Sequence, residues 1–517
     1  MKTIRPSRVV KSTESSSTLI ILGLCVFLSW SYVSAQSRKW VGTWSTAPQL
    51  VETANNPPAP GLSNNSLRQI VRVSLGGDTI RVHFANIFSA SPVTFHSVQI
   101  AVSTGGSAID IATNKELKFD GNAQVTMNPG VAVISDPIAF PLTPRMTVAI
   151  TIYYGQTSSS VTGHPGSRTT SYIIAGNTTT VTDFTGAVTT EHWYNITGID
   201  VLAPSAAACV VILGNSITDG RGSTTNFQNR WPDTFSERLL NNAATRHVGV
   251  LNQGIGGNAI LAGGLGPPAV SRFDRDIVNQ SGVRWAIVFE GVNDIGGVRS
   301  DTAATRVAGG LINAYKQFIS KAHAKNIRIY GATIMPFKGN GYYNVYSEEC
   351  RETVNQWIRT PGHYDAYIDF DMVMRNPADT LSIIASYQHD GLHPDSTGHR
   401  TMGSSIPVGM FAGGDTTYTG ASIFEEFKKT KGIDWGQNHF NPSDSATTIS
   451  FNLPKQSFVT LDVCDSLGRV VARLLSEQMP AGTHSRQWEA SRATSGTYFY
   501  TLTAGELKET RRFILSK

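Results

Sequence analysis

The stretch VVILGNSITDG, Val210 to Gly220, runs from an apolar segment straight into Gly, Asn and Ser. A serine at the end of a buried strand is a candidate nucleophile, but its hydroxyl stays unreactive until a base takes its proton. Histidine serves best when a carboxylate fixes its tautomer. Such a pair lies late in the chain, in DGLHPD, residues 390–395. The three-residue spacing, with Gly391 permitting a tight turn and Pro394 restricting the chain after it, can set Asp390 beside His393, and His393 could then reach Ser216. Attack on an ester also creates an oxyanion, which needs donors fixed where that charge develops. Three candidates are the backbone N–H groups of Ser216 and of Gly257, in NQGIGGNA (252–259), and the side-chain amide of Asn293, in GVND (291–294). Glycine suits a backbone approached closely by substrate, and asparagine donates without bringing a negative charge.

Each piece alone has a bland reading as a turn, a cap or a surface hydrogen bond; their joint order favours chemistry. Two rivals are weaker. GIGGNA fits the G-x-G-x-x-A dinucleotide pattern, but the ILAGGLGPP that follows is no helix to receive a pyrophosphate. Asp390, His393, Asp395 and His399 could be read as metal ligands, yet Asp-x-x-His-x-Asp is not a strong metal spacing and His399 falls where a helix is expected. The inferred reaction uses no cofactor and no metal.

Such residues must be carried by elements that converge. CVVIL (209–213), HVGVLN (247–252), RWAIVFE (284–290) and IRIYGATIM (327–335) read as short strands buried on both faces, alternating with helical stretches such as PDTFSERLLNN and AATRVAGGLINAYKQFISKAHAK. This predicts an α/β domain over 205–413 with a parallel sheet, whose ligands bind beyond the carboxyl ends of the strands. From 39 to 203 the pattern has period two and predicts an all-β sandwich. Within it Val71, Val73 and Leu75, the turn GGD, and Ile80, Val82 and Phe84 read as a hairpin with one buried face, and QTSSSVTGHPGS as a turn between strands. A polar linker, 414–433, precedes a second, smaller β-sandwich over 434–517, where Val459, Leu461 and Val463 alternate with polar neighbours.

Composition sets the class: 517 residues, 40% hydrophobic and 16% charged, suit about three globular domains. Residues 1–35 read as a secretory signal peptide, with Lys2, Arg5, Arg8 and Lys11 ahead of LIILGLCVFLSW, and the small residues VSA for cleavage. That apolar run is too short to span about 30 Å of hydrocarbon, and no other run is long enough, so no stable membrane span is expected. Removing the segment takes away four cations and Glu14, lowering the formal charge from +5 to +2, which gives no argument for nucleic acid as partner. Cys25 leaves with the signal; Cys209, Cys350 and Cys464 are scattered and read as core residues. For the candidate base, the Asp390 carboxylate is expected to shift the His393 pKa upward.

The four blocks resemble those of the SGNH, or GDSL, hydrolases. Gly214-Asn215-Ser216 is similar to the G-D-S block, GIGGN with Gly257 to the glycine block, and Gly291 to Asp294 and Asp390 to His393 to the G-x-N-D and D-x-x-H blocks. The resemblance implies a three-layer, flavodoxin-like α/β fold and a serine esterase: Ser216 as nucleophile, also giving an oxyanion N–H; Gly257 and Asn293 as the other oxyanion donors; His393 as base; Asp390 as its partner. Asn215 stands where the family usually has aspartate, and Thr218 departs from the G-x-S-x-G elbow of α/β-hydrolases.

The leader, WVGTWSTAPQ with SLRQIVRVSLGGDTIRVHFAN, is similar to the XynE-like branch, which implies release of short acyl groups, acetyl above all, from plant polysaccharide. The last segment, with LDVCDSLGRVVARL and SGTYFYTLTAG, resembles the C-terminal sorting domain of type IX secretion. This implies the secretion machinery as partner and a secreted or cell-surface place in a Gram-negative bacterium; His439 and Cys464 depart from the usual residues there. The alternatives are a lipase or arylesterase of the same mechanism acting on a small ester, and a non-catalytic carbohydrate-binding protein. In the latter Trp40, Trp44 and Trp193 would stack on sugars, although core packing is the commoner use of tryptophan in a sandwich.

Overall fold

The computed structural model describes residues 37–413, 434–435, 446–453, 456–465, 469–490, 493–494, 496–505 and 507–515. The signal segment 1–35, with Cys25, and the linker 414–433 lie outside the described residues, as does His439.

Five parallel strands form the sheet that positions the candidate residues: β1 (Ala208–Gly214), β2 (Val248–Gly254), β3 (Val283–Phe289), β4 (Arg328–Ala332) and β5 (Ala366–Ile368). All seven residues of β1 are buried, as expected of a strand covered on both faces. The strand order is β2-β1-β3-β4-β5. Winding therefore reverses between β1 and β3, and crevices beyond the carboxyl ends of such strands bind ligands. The register aligns Gly214 with Gly254 on one side and Phe289 on the other, so three chain segments emerge at one level. Two helices show why their boundaries fall where they do. The long helix Asp301–His323 starts at Ser300, whose side chain accepts from the Ala303 N–H, and buries Ala304, Ala308, Leu311, Tyr315, Phe318 and Ala322 along one stripe. The helix Val345–Arg359 starts at Asn344, whose side chain accepts from Tyr346 and Ser347 N–H groups.

Ahead of this sheet lie antiparallel strands in three sheets. The predicted hairpin about Gly76 is corrected: Asn65–Arg72 pairs with Thr147–Tyr154 and Ser171–Ala175, whereas Gly77–Asn86 pairs with Ile196–Pro204 in another sheet. The alternation did not reveal this pairing, because Asn65–Arg72 is buried along nearly its whole length, polar residues included. Arg68 donates to Thr151 Oγ1 and to the carbonyls of Ser107 and Val181, and Gln69 bonds the backbone of Tyr194. The turn read in QTSSSVTGHPGS contains a buried strand, Thr162–His164, in a small sheet with Gln49–Leu50 and Trp193–Tyr194. Trp44 and Trp193 are core residues packed edge to face at 5.0 Å, with Trp193 Nε1 donating to the Ile70 carbonyl, so neither presents a free face to sugar.

These β strands and the parallel sheet share one continuous apolar core. Gly42 N–H donates to the Ser281 carbonyl at 2.8 Å, Val250 N–H to Ser74 Oγ at 3.0 Å, and Gln253 Nε2 to Ser45 Oγ at 2.8 Å. Gly42 lets the chain pass close there, since a β-carbon would lie 2.6 Å from Leu251 Cδ1 and push that side chain aside.

In the C-terminal part, Ser457–Asp465 pairs with Val470–Met479 and Gly496–Ala504, and Ala446–Leu453 with Gly482–Glu489. Ile449, Phe451, Val459, Leu461 and Val463 belong to a core of its own. Cys209 and Cys350 are buried free thiols and Cys464 is half-buried.

Candidate active site

The turn that carries Ser216, the candidate nucleophile, follows β1. Asn215, in extended backbone, caps the short helix Ser216–Asp219, its Oδ1 accepting from the Ile217 N–H at 3.1 Å. Gly214 cannot carry a side chain, since a β-carbon would lie 2.2 Å from Thr218 Oγ1. Ser216 is thereby held at the end of β1 with its Oγ 2.8 Å from His393 Nε2. His393 Nδ1 lies 2.8 and 3.0 Å from the two Asp390 oxygens, and the His393 backbone N–H donates to Asp390 Oδ1 at 2.9 Å. Because a carboxylate only accepts, Nδ1 carries the ring proton and Nε2 turns a lone pair to the serine. The turn depends on Gly391, at φ +80°, where a β-carbon would meet the Gly339 backbone at 2.8 Å.

Burial pushes the His393 pKa below its ordinary value, against the opposing pull of Asp390. The expected upward shift is therefore corrected: removing the imidazolium from water outweighs the neighbouring carboxylate. Burial opposes ionisation of Asp390, but the His393 backbone N–H and imidazole together hold its pKa below the usual carboxylate range.

Gly257 and Asn293 lie on the same cleft as Ser216 and His393. Among the described residues the N–H groups of Ser216 and Gly257 have no internal acceptor, which leaves them available. Gly257 sits at φ +70°. Asn293 is oriented from both ends of its amide: Nδ2 donates to the Asn258 carbonyl at 2.7 Å, and Oδ1 accepts from Tyr342 Oη at 3.0 Å. One amide hydrogen remains for a ligand. Asp294 accepts from the Ile260 and Leu261 N–H groups, tying the glycine loop to the GVND turn.

Several supporting residues gave no signal in the sequence. Buried Arg272 donates to Asn258 Oδ1, to the carbonyls of Gln253 and Gly214, and to Asp276, bracing the glycine turn against the end of β1. Glu290, fully buried behind Asn215, has its pKa pushed well above the usual range by burial, which outweighs the Arg272 cation and the Asn215 amide. His164, from the small β sheet, bonds Asp219 Oδ1 at 2.8 Å. His399 is no metal ligand in this fold: it bonds the Trp231 N–H and the Arg221 carbonyl, and burial lowers its pKa to about 4. Asp395 caps the following helix, Ser396–Ser405.

The cleft has a volume of about 420 Å³, and its lining includes Gln49, Glu52, Arg168 and His192 from the N-terminal β region. It can seat a carbonyl against a serine, a neutral imidazole and converging N–H donors.

The sequence pattern of the GDSL-like Lipase/Acylhydrolase family matches residues 212–401, spanning all four blocks. The chain carries a GDSL-like acylhydrolase domain. A secretion system C-terminal sorting domain matches residues 441–516. The acylhydrolase domain makes the protein an ester hydrolase, and the sorting domain directs it to type IX export. No curated protein matches the chain. Among solved structures, similarity extends to a GDSL-like lipase from Bacteroides thetaiotaomicron (17% identity, 38% of this chain and 84% of that one, TM-score 0.27). It also extends to an acetylxylan esterase mutant from Geobacillus stearothermophilus (14%, 38% and 92%, TM-score 0.29). A third is a carbohydrate esterase family 2 enzyme plus carbohydrate binding domain from Corynascus thermopiles (11%, 71% and 96%, TM-score 0.30). Among the described residues of the acylhydrolase chain, no helix is long and apolar enough to cross a membrane.

Proposed function

We propose that the protein hydrolyses short acyl esters of polysaccharide through an acyl-enzyme on Ser216. The observation that carries the reading is the 2.8 Å contact between Ser216 Oγ and His393 Nε2, with Asp390 behind the ring. Oγ attacks the ester carbonyl carbon as its proton passes to Nε2. The Asp390 carboxylate stabilises the imidazolium, and the oxyanion faces the N–H groups of Ser216 and Gly257 and the Asn293 amide. Collapse of the tetrahedral intermediate expels the alcohol, which takes the proton from His393. Water then attacks the acyl-serine by the same route and releases the carboxylic acid.

Polysaccharide is favoured over lipid by the hydrogen-bonding side chains Gln49, Glu52, Arg168 and His192 on the cleft wall, and by the resemblance of the leader to the XynE-like branch. We read the antiparallel regions 39–203 and 434–517 as sandwiches flanking the hydrolase, and the exported protein as secreted or held at the surface of a Gram-negative cell. Ser216→Ala should abolish hydrolysis of 4-nitrophenyl acetate in folded protein; undiminished turnover would overturn the mechanism. A series of acyl lengths, run beside acetylated xylan, decides the substrate: rising rates with long chains would mark a lipase.

A further inference from the structure

We infer that the cleft contains a carboxylate-recognising subsite built on Arg168, so that the preferred esters carry an acidic sugar, of the uronic-acid type, on the alcohol side of the scissile bond. The inference rests on the esterase reading and extends it to the charge of the substrate.

Arg168 lies four residues after His164 and lines the same cleft as Ser216 and His393. Its backbone is left-handed, φ +50°, a conformation that non-glycine residues seldom adopt without a surrounding that fixes it. Ser167 Oγ donates to the Thr169 carbonyl, Thr169 Oγ1 donates to the Ser167 carbonyl, and the Arg168 carbonyl accepts from the Asn226 N–H. The turn is thus held on both sides of the arginine. Its Nε is buried without a hydrogen-bond partner, and among the described residues no carboxylate lies within ion-pairing distance of the guanidinium. Arg168 is half-buried, whereas the fully buried Arg68 and Arg272 are each surrounded by internal acceptors.

The carboxylates that line the site each have a hydrogen-bond partner other than Arg168. Glu52 accepts from Gln49 Nε2 at 2.6 Å and Asn55 Nδ2 at 3.0 Å, Asp219 is bonded to His164, and Asp390 to His393. His192, also on the lining, has Nδ1 bonded to the Pro165 carbonyl, leaving Nε2 free for a hydroxyl. Arg221 adds a second cation beside the cleft, 3.8 Å from Asp390. A planar guanidinium without an internal counterion matches a carboxylate bidentately. A short acyl group has no room for a second charge, so the charge belongs on the alcohol.

The test compares 3- and 4-carboxyphenyl acetate with their neutral carboxamide counterparts, taking the ratio of kcat/KM for the charged ester to that for the neutral one. In Arg168→Gln this ratio should fall about fivefold or more below wild type, the loss expected for one charge-assisted contact, and 0.5 M salt should narrow the difference. Arg168→Asn, better suited to a left-handed backbone, replaces the glutamine variant if that one misfolds. Arg306→Gln, at an exposed helix position, should keep the wild-type ratio. The inference is overturned if both Arg168 variants keep that ratio. A binding arm separates this from the esterase reading: Ser216→Ala protein should bind oligogalacturonate more tightly than neutral xylo-oligosaccharide by calorimetry, and should lose that preference when Arg168→Gln is added. Hydrolysis that survives Ser216→Ala would overturn the nucleophile assignment, whereas equal binding of the two oligosaccharides would overturn the subsite.

Discussion

His164 Nε2 lies 2.8 Å from Asp219 Oδ1, while its Nδ1 lies 2.9 Å from the Ala47 carbonyl. A carbonyl only accepts, so Nδ1 carries a proton and a second proton sits between Nε2 and the carboxyl group. One buried imidazole therefore ties two segments of the N-terminal β region to the helix that begins at Ser216.

His164→Ala should cost about 3 kcal/mol or more of stability, because it strands a buried carboxylate. It should also lower kcat for 4-nitrophenyl acetate at least about tenfold as the nucleophile turn loosens. Asp219→Asn should lose much less, since its amide can donate to the lone pair of a neutral His164. Chemical denaturation and steady-state kinetics check both, and equal losses in the two variants would contradict the tie.

The pH profile follows from His393. The base must be neutral, and burial lowers its pKa, so the acid limb of kcat/KM should fall below pH 6.5, the ordinary histidine value. Asp390→Asn removes the group that opposes this shift, moving the limb further down while kcat drops by about 10³–10⁴. The sign for stability agrees: the unfolded histidine takes a proton at higher pH than the folded one. Its contribution therefore rises with pH from the lowered folded pKa to 6.5 and is lost below that window. A limb above 6.5 would contradict the assignment.

Glu290 works in the opposite direction. Burial raises its pKa, so the folded state binds a proton that the unfolded chain has released, and its cost grows as pH rises above 4.5, the ordinary glutamate value. Glu290→Gln should stabilise the protein by about 1–3 kcal/mol at pH 7, the scale of a buried polar group without a partner, and by little at pH 4. Melting curves at the two pH values check this. Asn215→Asp should destabilise at pH 7, because it brings a second carboxyl group against the first.

Tyr342→Phe removes the donor that fixes Asn293 Oδ1 and leaves the Asn258 contact in place. Its effect should be a fraction of that of Asn293→Ala, which should cost about 10²–10³ in kcat as the loss of an oxyanion donor. About tenfold is expected for Tyr342→Phe, with KM little changed. A change confined to KM would place Tyr342 in substrate binding instead.

The runs CVVIL and RWAIVFE were legible as strands because apolar residues buried on both faces leave no periodic gap, and they coincide with Ala208–Gly214 and Val283–Phe289. Ser216 was legible at the end of such a run, and Asp390 and His393 as a pair in the late turn DGLHPD; the contact of Ser216 with His393 joins positions 177 residues apart. Three things were hidden for one physical reason, that polar side chains can be buried when internal partners replace water. Asn65–Arg72 is buried on both faces, with Arg68 and Gln69 held by internal partners. His164 lay in a stretch rich in serine and glycine that resembled a turn. Arg272 sat in a segment with no recognisable pattern, yet it braces both loops of the cleft.

The cleft wall contributed by Gln49, Glu52, Arg168 and His192 has an evolutionary consequence. Since these side chains come from the amino-terminal β region while Ser216, Asp390 and His393 come from the part of the chain around the parallel sheet, exchanging the former between homologues would retune selectivity without touching those three residues. Excising the catalytic module on its own would yield an enzyme with a breached pocket.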